Sequence, residues 1–158
     1  FERDDARLVD AVALEDVVRD VVASRAEDLR ARIAFHPEAS GTVRGDETLL
    51  RALVENLVDN ALKFDRSGAI AVTVSEDEAN VFLSVRDEGP GVAPHEIEAL
   101  LAPFVRGTAG SSAPGHGLGL AIVAHVVRLH GGVVRFVPRD SGAEISVSLP
   151  VWKASPPV

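Results

Sequence analysis

Apolar residues recur at helical spacing in three long stretches of this chain and alternate with polar ones in several others. From Leu14 to Arg32, Leu14, Val17, Val18, Val21, Val22 and Leu29 fall on one face, with Glu15 and Asp16 early and arginines late. That spacing predicts an amphipathic helix whose charges follow the helix dipole. A second helix is predicted from about Asp46, a suitable N-cap with Glu47 in the first turn, to about Phe64. Leu49, Leu50, Leu53, Val54, Leu57, Val58, Ala61 and Leu62 give it a broad apolar face. A third helix runs from Leu118 to Leu129 and ends at Gly131-Gly132. A short one is predicted over HEIEALL, residues 95–101.

Period-two alternation marks the strands. AIAVTVS (69–75) and NVFLSVR (80–86) flank a polar turn and read as a hairpin. VVRFVP (133–138) and AEISVSLP (143–150) are closing strands. Shorter extended pieces are predicted at 8–13, at 33–36 before Pro37, and around Val43 before a turn at Gly45. Residues 1–7 are a polar lead-in, and 151–158 are expected to be a loose tail. Residues 102–116 are rich in glycine, alanine, serine and proline and predict a long mobile loop, which in a compact domain usually serves function. Several strands with three long helices make an α+β two-layer sandwich.

Composition narrows the functional classes. At 158 residues the chain is one domain by length, able to bury a core without staples. It has no cysteine, which removes disulfides and thiolate-held metals. A net charge of −8 argues against a general nucleic-acid or anionic-membrane footprint. No apolar run reaches the roughly 20 residues of a membrane span, and no signal peptide opens the chain. There is no methionine, so a chain opening FERDD is expected to be part of a longer protein.

Three clusters carry candidate chemistry. In ENLVDNALKF (55–64), Asn56 and Asn60 are four apart and share one helix face, where asparagine is poorly suited on propensity. An amide oxygen is a hard ligand that suits Mg²⁺, and Lys63 lies one turn on, within reach of a phosphate. In DEGPG (87–91), Asp87 ends a strand and can accept a hydrogen bond from an exocyclic amine, while Gly89 and Gly91 let a flat ring approach the backbone. In GHGLGLA (115–121), glycines open a long helix whose N-terminus offers free N–H groups to phosphate. Each cluster alone also has a plain structural reading: packed amides, a tight turn, a glycine hinge. The glycines match neither the lysine-bearing P-loop nor the strand-borne Rossmann fingerprint.

In that order, over about Leu8 to Pro150, the clusters resemble the ATP-binding catalytic domain of bacterial sensor histidine kinases. The wider group, with the gyrase, Hsp90 and MutL ATPases, shares the Bergerat fold. The resemblance implies that fold: a mixed, mainly antiparallel sheet with three long helices on one face and a mobile ATP lid. It implies that Asn60 ligates Mg²⁺, that Asn56 lines the same phosphate side, that Lys63 contacts phosphate and that Phe64 packs on the base. It places Asp87 on the adenine amino group, with Gly89 and Gly91 shaping the base pocket. Phe104 and Arg106 in PFVRG resemble the lid's phenylalanine box, Arg106 adding charge on closure. Gly115, Gly117 and Gly119 resemble the phosphate-holding glycine box, with His116 and Leu118 between them.

The implied cofactors are ATP and Mg²⁺. The implied partners are a phosphoacceptor and dimerisation domain of the same protein, to which residues 1–7 are the end of a linker, and a response regulator. The implied setting is a cytoplasmic domain of a homodimeric inner-membrane sensor, itself monomeric when isolated. Where the hydrolysing relatives carry a glutamate base four residues before the metal asparagine, this chain has Asn56, and an amide takes no proton from water at neutral pH. Glu55 is about 100° away round the helix and should not substitute. Asn56, Lys63 and Arg106 are thus expected to serve phosphoryl transfer rather than hydrolysis. Two departures stand out: Gly142-Ala143 replaces the family's Gly-Thr pair, and no histidine is followed by the acceptor pattern. His125 and His130 are expected to be structural. The alternatives are a hydrolase of the same fold and a degenerate nucleotide-binding or interaction module.

Overall fold

The computed structural model describes residues 10–65, 68–89, 117–137, 139 and 141–153; the side chains of Phe64 and Leu118 are outside the description. The predicted helix at 95–101, the loop at 102–116 and the lead-in at 1–7 therefore lie outside the described residues.

The elements run β1 (Asp10–Ala13), α1 (Leu14–Ala23), α2 (Glu27–Arg30), β2 (Ile33–Pro37), β3 (Thr42–Gly45), α3 (Glu47–Phe64), β4 (Ile70–Glu76), β5 (Asn80–Asp87), α4 (Gly117–Leu129), β6 (Val133–Val137) and β7 (Ala143–Pro150). A five-stranded sheet has the order β2-β4-β5-β7-β6, and β1 pairs with β3 in a separate two-stranded sheet. Among the described residues only β2 and β4 pair in parallel; the other ladders are antiparallel.

Alternation places the core. Ile70, Val72 and Val74 on β4, Val81, Leu83 and Val85 on β5, and Ile145, Val147 and Leu149 on β7 are buried on one sheet face. Against them pack Leu14, Val17, Val18 and Val21 of α1, Leu50, Leu53, Val54, Leu57 and Val58 of α3, and Leu120, Val123, Val126 and Val127 of α4. The opposite sheet face carries Thr73, Ser84 and Ser146 in neighbouring register. Such a division of apolar and hydroxyl-bearing side chains gives two layers, with the helices on one side.

The helix predicted over 14–32 is broken. α1 stops at Ala23, a turn follows, and α2 covers Glu27–Arg30. The Ser24 hydroxyl donates to the Val21 carbonyl at 2.7 Å. Arg25 turns away to pair with Asp59 on α3, its Nε donating to Oδ1 at 2.9 Å and its Nη2 to Oδ2 at 3.3 Å. A half-buried bidentate pair to another helix competes with continued winding. The last turn of α1 consequently holds no basic residue. β2 also extends one residue further than expected, with Pro37 opposite Val74. On an edge strand the missing proline N–H costs no ladder bond.

Both ends of the longer helices are closed as their sequences suggest. The Asp46 carboxylate accepts from the Leu49 N–H at 3.0 Å and caps α3. At the end of α4, Gly131 has φ +72°. Its N–H donates to the Arg128 carbonyl and that of Gly132 to Val127, which closes a Schellman motif. His130, just before it, is 8% exposed. Its Nδ1 lies 2.8 Å from the Val126 carbonyl, and its Nε2 accepts from the Asp46 N–H at 3.2 Å. The ring is thus the neutral Nδ1–H tautomer, and it joins the end of α4 to the start of α3.

Part of the expected loose tail is held: Val151 bridges Val43, and the Trp152 N–H donates to the Thr42 carbonyl at 2.9 Å. β3 is therefore flanked by β1 on one side and this segment on the other.

Candidate functional site

The site is built where α3, the end of β5 and the start of α4 meet. Asn56 and Asn60 project from one face of α3. The Asn56 Nδ2 donates to the Ala52 carbonyl one turn back at 2.7 Å. Its Oδ1 lies against Gly119 in the first turn of α4, 3.2 Å from where a Cβ would stand. Glycine at 119 therefore lets the two helices approach, and the asparagine face and the glycine-rich helix start come together as expected. Asn60 is 5% exposed, and its Nδ2 is buried with no hydrogen-bond partner. A buried amide left this way is costly unless something else engages it.

Glu55 lies on the flank of this face, 3.9 Å from Arg25 Nη2, and Asp59 beside it holds the same guanidinium. Asp59 is hydrogen-bonded to Arg25, and Glu55 lies towards the same guanidinium. Lys63 is exposed one turn beyond Asn60.

Asp87 ends β5 and is 3% exposed. Its Oδ1 accepts from the Gly89 N–H at 2.8 Å. Burial pushes its carboxyl above the ordinary value; the N–H groups of Gly89 and Ala143 pull it back, and the charges of Asp65 and Glu88 add to the rise. Ala143 is its register partner on β7. The residue that replaces the family's threonine therefore supplies a backbone N–H to Asp87. Gly142, just before it, has φ +74°, and a Cβ there would run into the Asp87 carbonyl oxygen and the Glu88 Cα. Gly142→Ala is therefore expected to lower the melting temperature by several degrees and to weaken nucleotide binding with it, as calorimetry and titration would read.

Asp65, which the sequence reading did not single out, closes the same corner. It follows α3 and is 8% exposed. Its Oδ1 accepts from the Gly68 N–H at 2.8 Å and its Oδ2 from the Glu88 N–H at 3.1 Å. Arg32 fastens the backbone beneath, donating to the Asp65 carbonyl and, at 2.9 Å, to that of Gly68. The D-x-x-G spacing of 65–68 signals an Asx-type turn, but no local pattern shows the reach to Glu88.

Of the remaining predicted residues, the backbones of Phe64, Gly117 and Leu118 are helical. Gly91, Phe104, Arg106, Gly115 and His116 lie outside the described residues. A cavity of about 940 Å³ opens at the other end of α4, between Leu129, His130, Pro150 and Trp152, and no predicted nucleotide residue lines it. The buried Asn60 and Asp87 mark the site better than this hollow does, because they are the residues whose chemistry fits a nucleotide.

A buried aspartate at a strand end, an amide-bearing helix and a glycine-opened helix facing it define a nucleotide-binding α/β sandwich. Residues 45–153 match the family described as histidine kinase-, DNA gyrase B- and HSP90-like ATPases, and the chain belongs to it. Its fold is therefore the Bergerat fold, and within that family it is an ATP-binding catalytic domain of the sensor histidine kinase type.

The chain is 38% identical over 143 residues to the sensor protein kinase PmrB of Pseudomonas aeruginosa, covering 89% of this chain and 30% of that protein. It is 38% identical over 153 residues to the sensor protein SphS of Synechococcus elongatus, covering 90% of this chain and 37% of that one. It thus spans about a third of the curated relatives it matches. Among solved structures, the mycobacterial sensor histidine kinase MprB superposes with a TM-score of 0.74 at 32% identity, covering 90% of this chain and 97% of that one. The catalytic domain of histidine kinase ThkA gives 0.78 at 25% identity, covering 90% and 95%.

Proposed function

We propose that this domain binds Mg²⁺-ATP between α3 and the start of α4 and donates the γ-phosphate to a histidine on a separate helical domain of the same protein, for relay to a response regulator. The observation that carries the reading is the Asn60 amide, buried with its Nδ2 donor facing no acceptor, on the helix face that meets Gly119. With its amide turned, that side chain offers a hard oxygen. Among the described residues no cluster of three or more His, Cys, Asp or Glu forms an all-protein cage. One amide oxygen suits an ion that takes its other ligands from phosphates and water. Mg²⁺, when bound, neutralises charge on the phosphates.

The chain's own residues do the rest. The Asp87 carboxylate accepts from the adenine amine. Gly89 and Gly91 keep the backbone clear of the ring, and Phe64 packs on it. The free N–H groups at the start of α4, with Gly115, His116 and Leu118 beside them, receive the phosphates, as Lys63 does from α3. Phe104 and Arg106 belong to the segment that covers the nucleotide. Catalysis is positioning and charge neutralisation, with the attacking imidazole brought from elsewhere.

Asn56 supports transfer over hydrolysis. Its amide is bonded to Ala52 and has no basic site for a water proton, and Glu55 is drawn to Arg25. No helix among the described residues is long and apolar enough to cross a membrane. The reading places this domain in the cytoplasm, on a homodimeric sensor anchored in the inner membrane.

The test is transfer of radiolabelled phosphate from ATP to an added phosphoacceptor domain, with phosphate release followed in its absence. Label on histidine with negligible release is expected, and Asn60→Ala should lower transfer by about a hundredfold through loss of metal-assisted charge stabilisation. Sustained phosphate release by the domain alone would favour the hydrolase. Failure to bind ATP at all would favour a degenerate module.

A further inference from the structure

The connection between α1 and β2 buries little of its own. α2 holds no buried residue, and Leu29 is its one side chain that packs, in part, against the core. Two arginines of this connection nevertheless reach across to α3 and its end. Arg25 binds Asp59 and lies towards Glu55, next in sequence to Asn60 and Asn56. Arg32 goes further along. Its Nη2 donates to the Asp65 carbonyl and its Nε, at 2.9 Å, to the Gly68 carbonyl. Its own carbonyl accepts the Ile70 N–H at 2.7 Å, where β4 begins beside β2.

Asp65 is the C-cap of α3. Carbonyls at a helix C-terminus lack helical partners and carry the negative end of the dipole, so a guanidinium suits them. The geometry adds something that a cap alone would not need. A planar fork fixes two carbonyls at once, and these two bound the turn from α3 into β4. With its backbone held there, Asp65 turns its Oδ2 to the N–H of Glu88, the residue after Asp87. The chain of contact therefore runs from Arg32 through the Asp65 backbone and the Glu88 N–H to Asp87.

We propose that Arg32 is a positioning residue for the base end of the nucleotide site, setting the place of Asp87 by clamping the carbonyls of Asp65 and Gly68. This rests on the ATP-binding reading above. Nε and Nη2 of Arg32 are engaged by backbone, so it acts through the turn and not on the nucleotide. The amide face of α3 is held separately, by helical hydrogen bonds and by Arg25 at Asp59. Arg32 thus serves recognition of the base, while the phosphate side is independent of it.

The experiment is calorimetric titration of Mg²⁺-ATP, Mg²⁺-ADP and Mg²⁺-GTP, well below the melting temperature of each protein. The proteins are the unmodified domain, Arg32→Met, Arg32→Lys and, as a control in the same connection, Arg30→Met. Arg30 is exposed and approaches the Ala23 carbonyl at 3.4 Å. Circular dichroism confirms that each variant is folded, and Arg32→Lys carries the test if Arg32→Met is not. Arg32→Met is expected to weaken ATP and ADP alike by about tenfold, the scale of ordering one or two interface groups on binding. Arg32→Lys should recover only part of this loss, because an ammonium has no fork for two carbonyls. GTP, which presents a carbonyl where adenine presents its amine, should change far less. Arg30→Met should bind all three as the unmodified domain does.

Folded Arg32 variants with unaltered ATP affinity would make Arg32 a support of the fold alone and overturn the proposal. Equal losses for ATP and GTP, or a loss for ATP that spares ADP, would overturn it too, since these mark a general or a phosphate-side effect. An unmodified domain that binds none of the three would overturn the function reading, and this inference with it.

Discussion

Asp87→Asn is expected to abolish selective ATP binding while leaving the melting temperature unchanged or slightly higher. The carboxylate receives the adenine amine as an acceptor with two oxygens; an amide turns one of these into a donor. Loss of a hydrogen bond to a charged group, with a donor set against a donor, amounts to about 3 kcal/mol, or roughly a hundredfold in affinity. Stability goes the other way. Burial raises the Asp87 carboxyl in the folded chain above its unfolded value. The folded state then holds its proton more tightly, so stability is greatest below the unfolded value and declines as pH rises through the raised folded one. The amide has no charge to desolvate, and its oxygen can still accept from Gly89. Melting curves of both proteins at pH 4 and pH 7, beside ATP titration, check the pair of effects. A variant that unfolds, or one that binds ATP normally, would contradict the assignment of Asp87 to the base.

His130→Ala is expected to act on the whole fold. The ring takes the Asp46 N–H and gives to the Val126 carbonyl, and both partners are inside. Its removal leaves a buried donor unpaired and a hole between the end of α4 and the start of α3. Together these amount to about 2–4 kcal/mol, or a fall of roughly 6–12 °C in melting temperature for a domain of this size. Gly45 faces the same ring, and a Cβ there would run into it, so larger residues at 45 should reproduce the loss. Scanning calorimetry decides. A variant as stable as the parent would mean that water or a repacked side chain replaces both bonds.

The sequence carried the elements that bury a regular face. The apolar rows of α3 and α4 and the alternation of β4, β5 and β7 are written in residues close along the chain, and so is the Asp46 cap. The pairing of Asn56 with Asn60 was legible for the same reason, because helical period alone puts them together. Asp87 was legible as a polar residue ending an apolar strand.

What escaped depends on partners far along the chain. The break after α1 is set by Arg25 reaching Asp59, while the local sequence winds acceptably through it. The parallel pairing of β2 with β4 and the separate β1–β3 sheet are choices among strand partners that alternation does not distinguish. Asp65 reads locally as a turn residue, and only the folded chain brings Glu88 to it. His130 was expected to be structural and is; that its bond crosses to Asp46 was beyond any periodicity.

The two fastenings of α3 have a thermodynamic consequence. His130 holds the peptide group where the helix begins, and the Asp65 turn with Arg32 holds the residue where it ends. A ligand that settles on the amides between these points meets a support already immobilised, so its association enthalpy is not diluted by freezing that segment. The entropy lost on binding then falls on the nucleotide and on whatever closes over it. Selection for tighter or looser affinity can act there without loosening the helix.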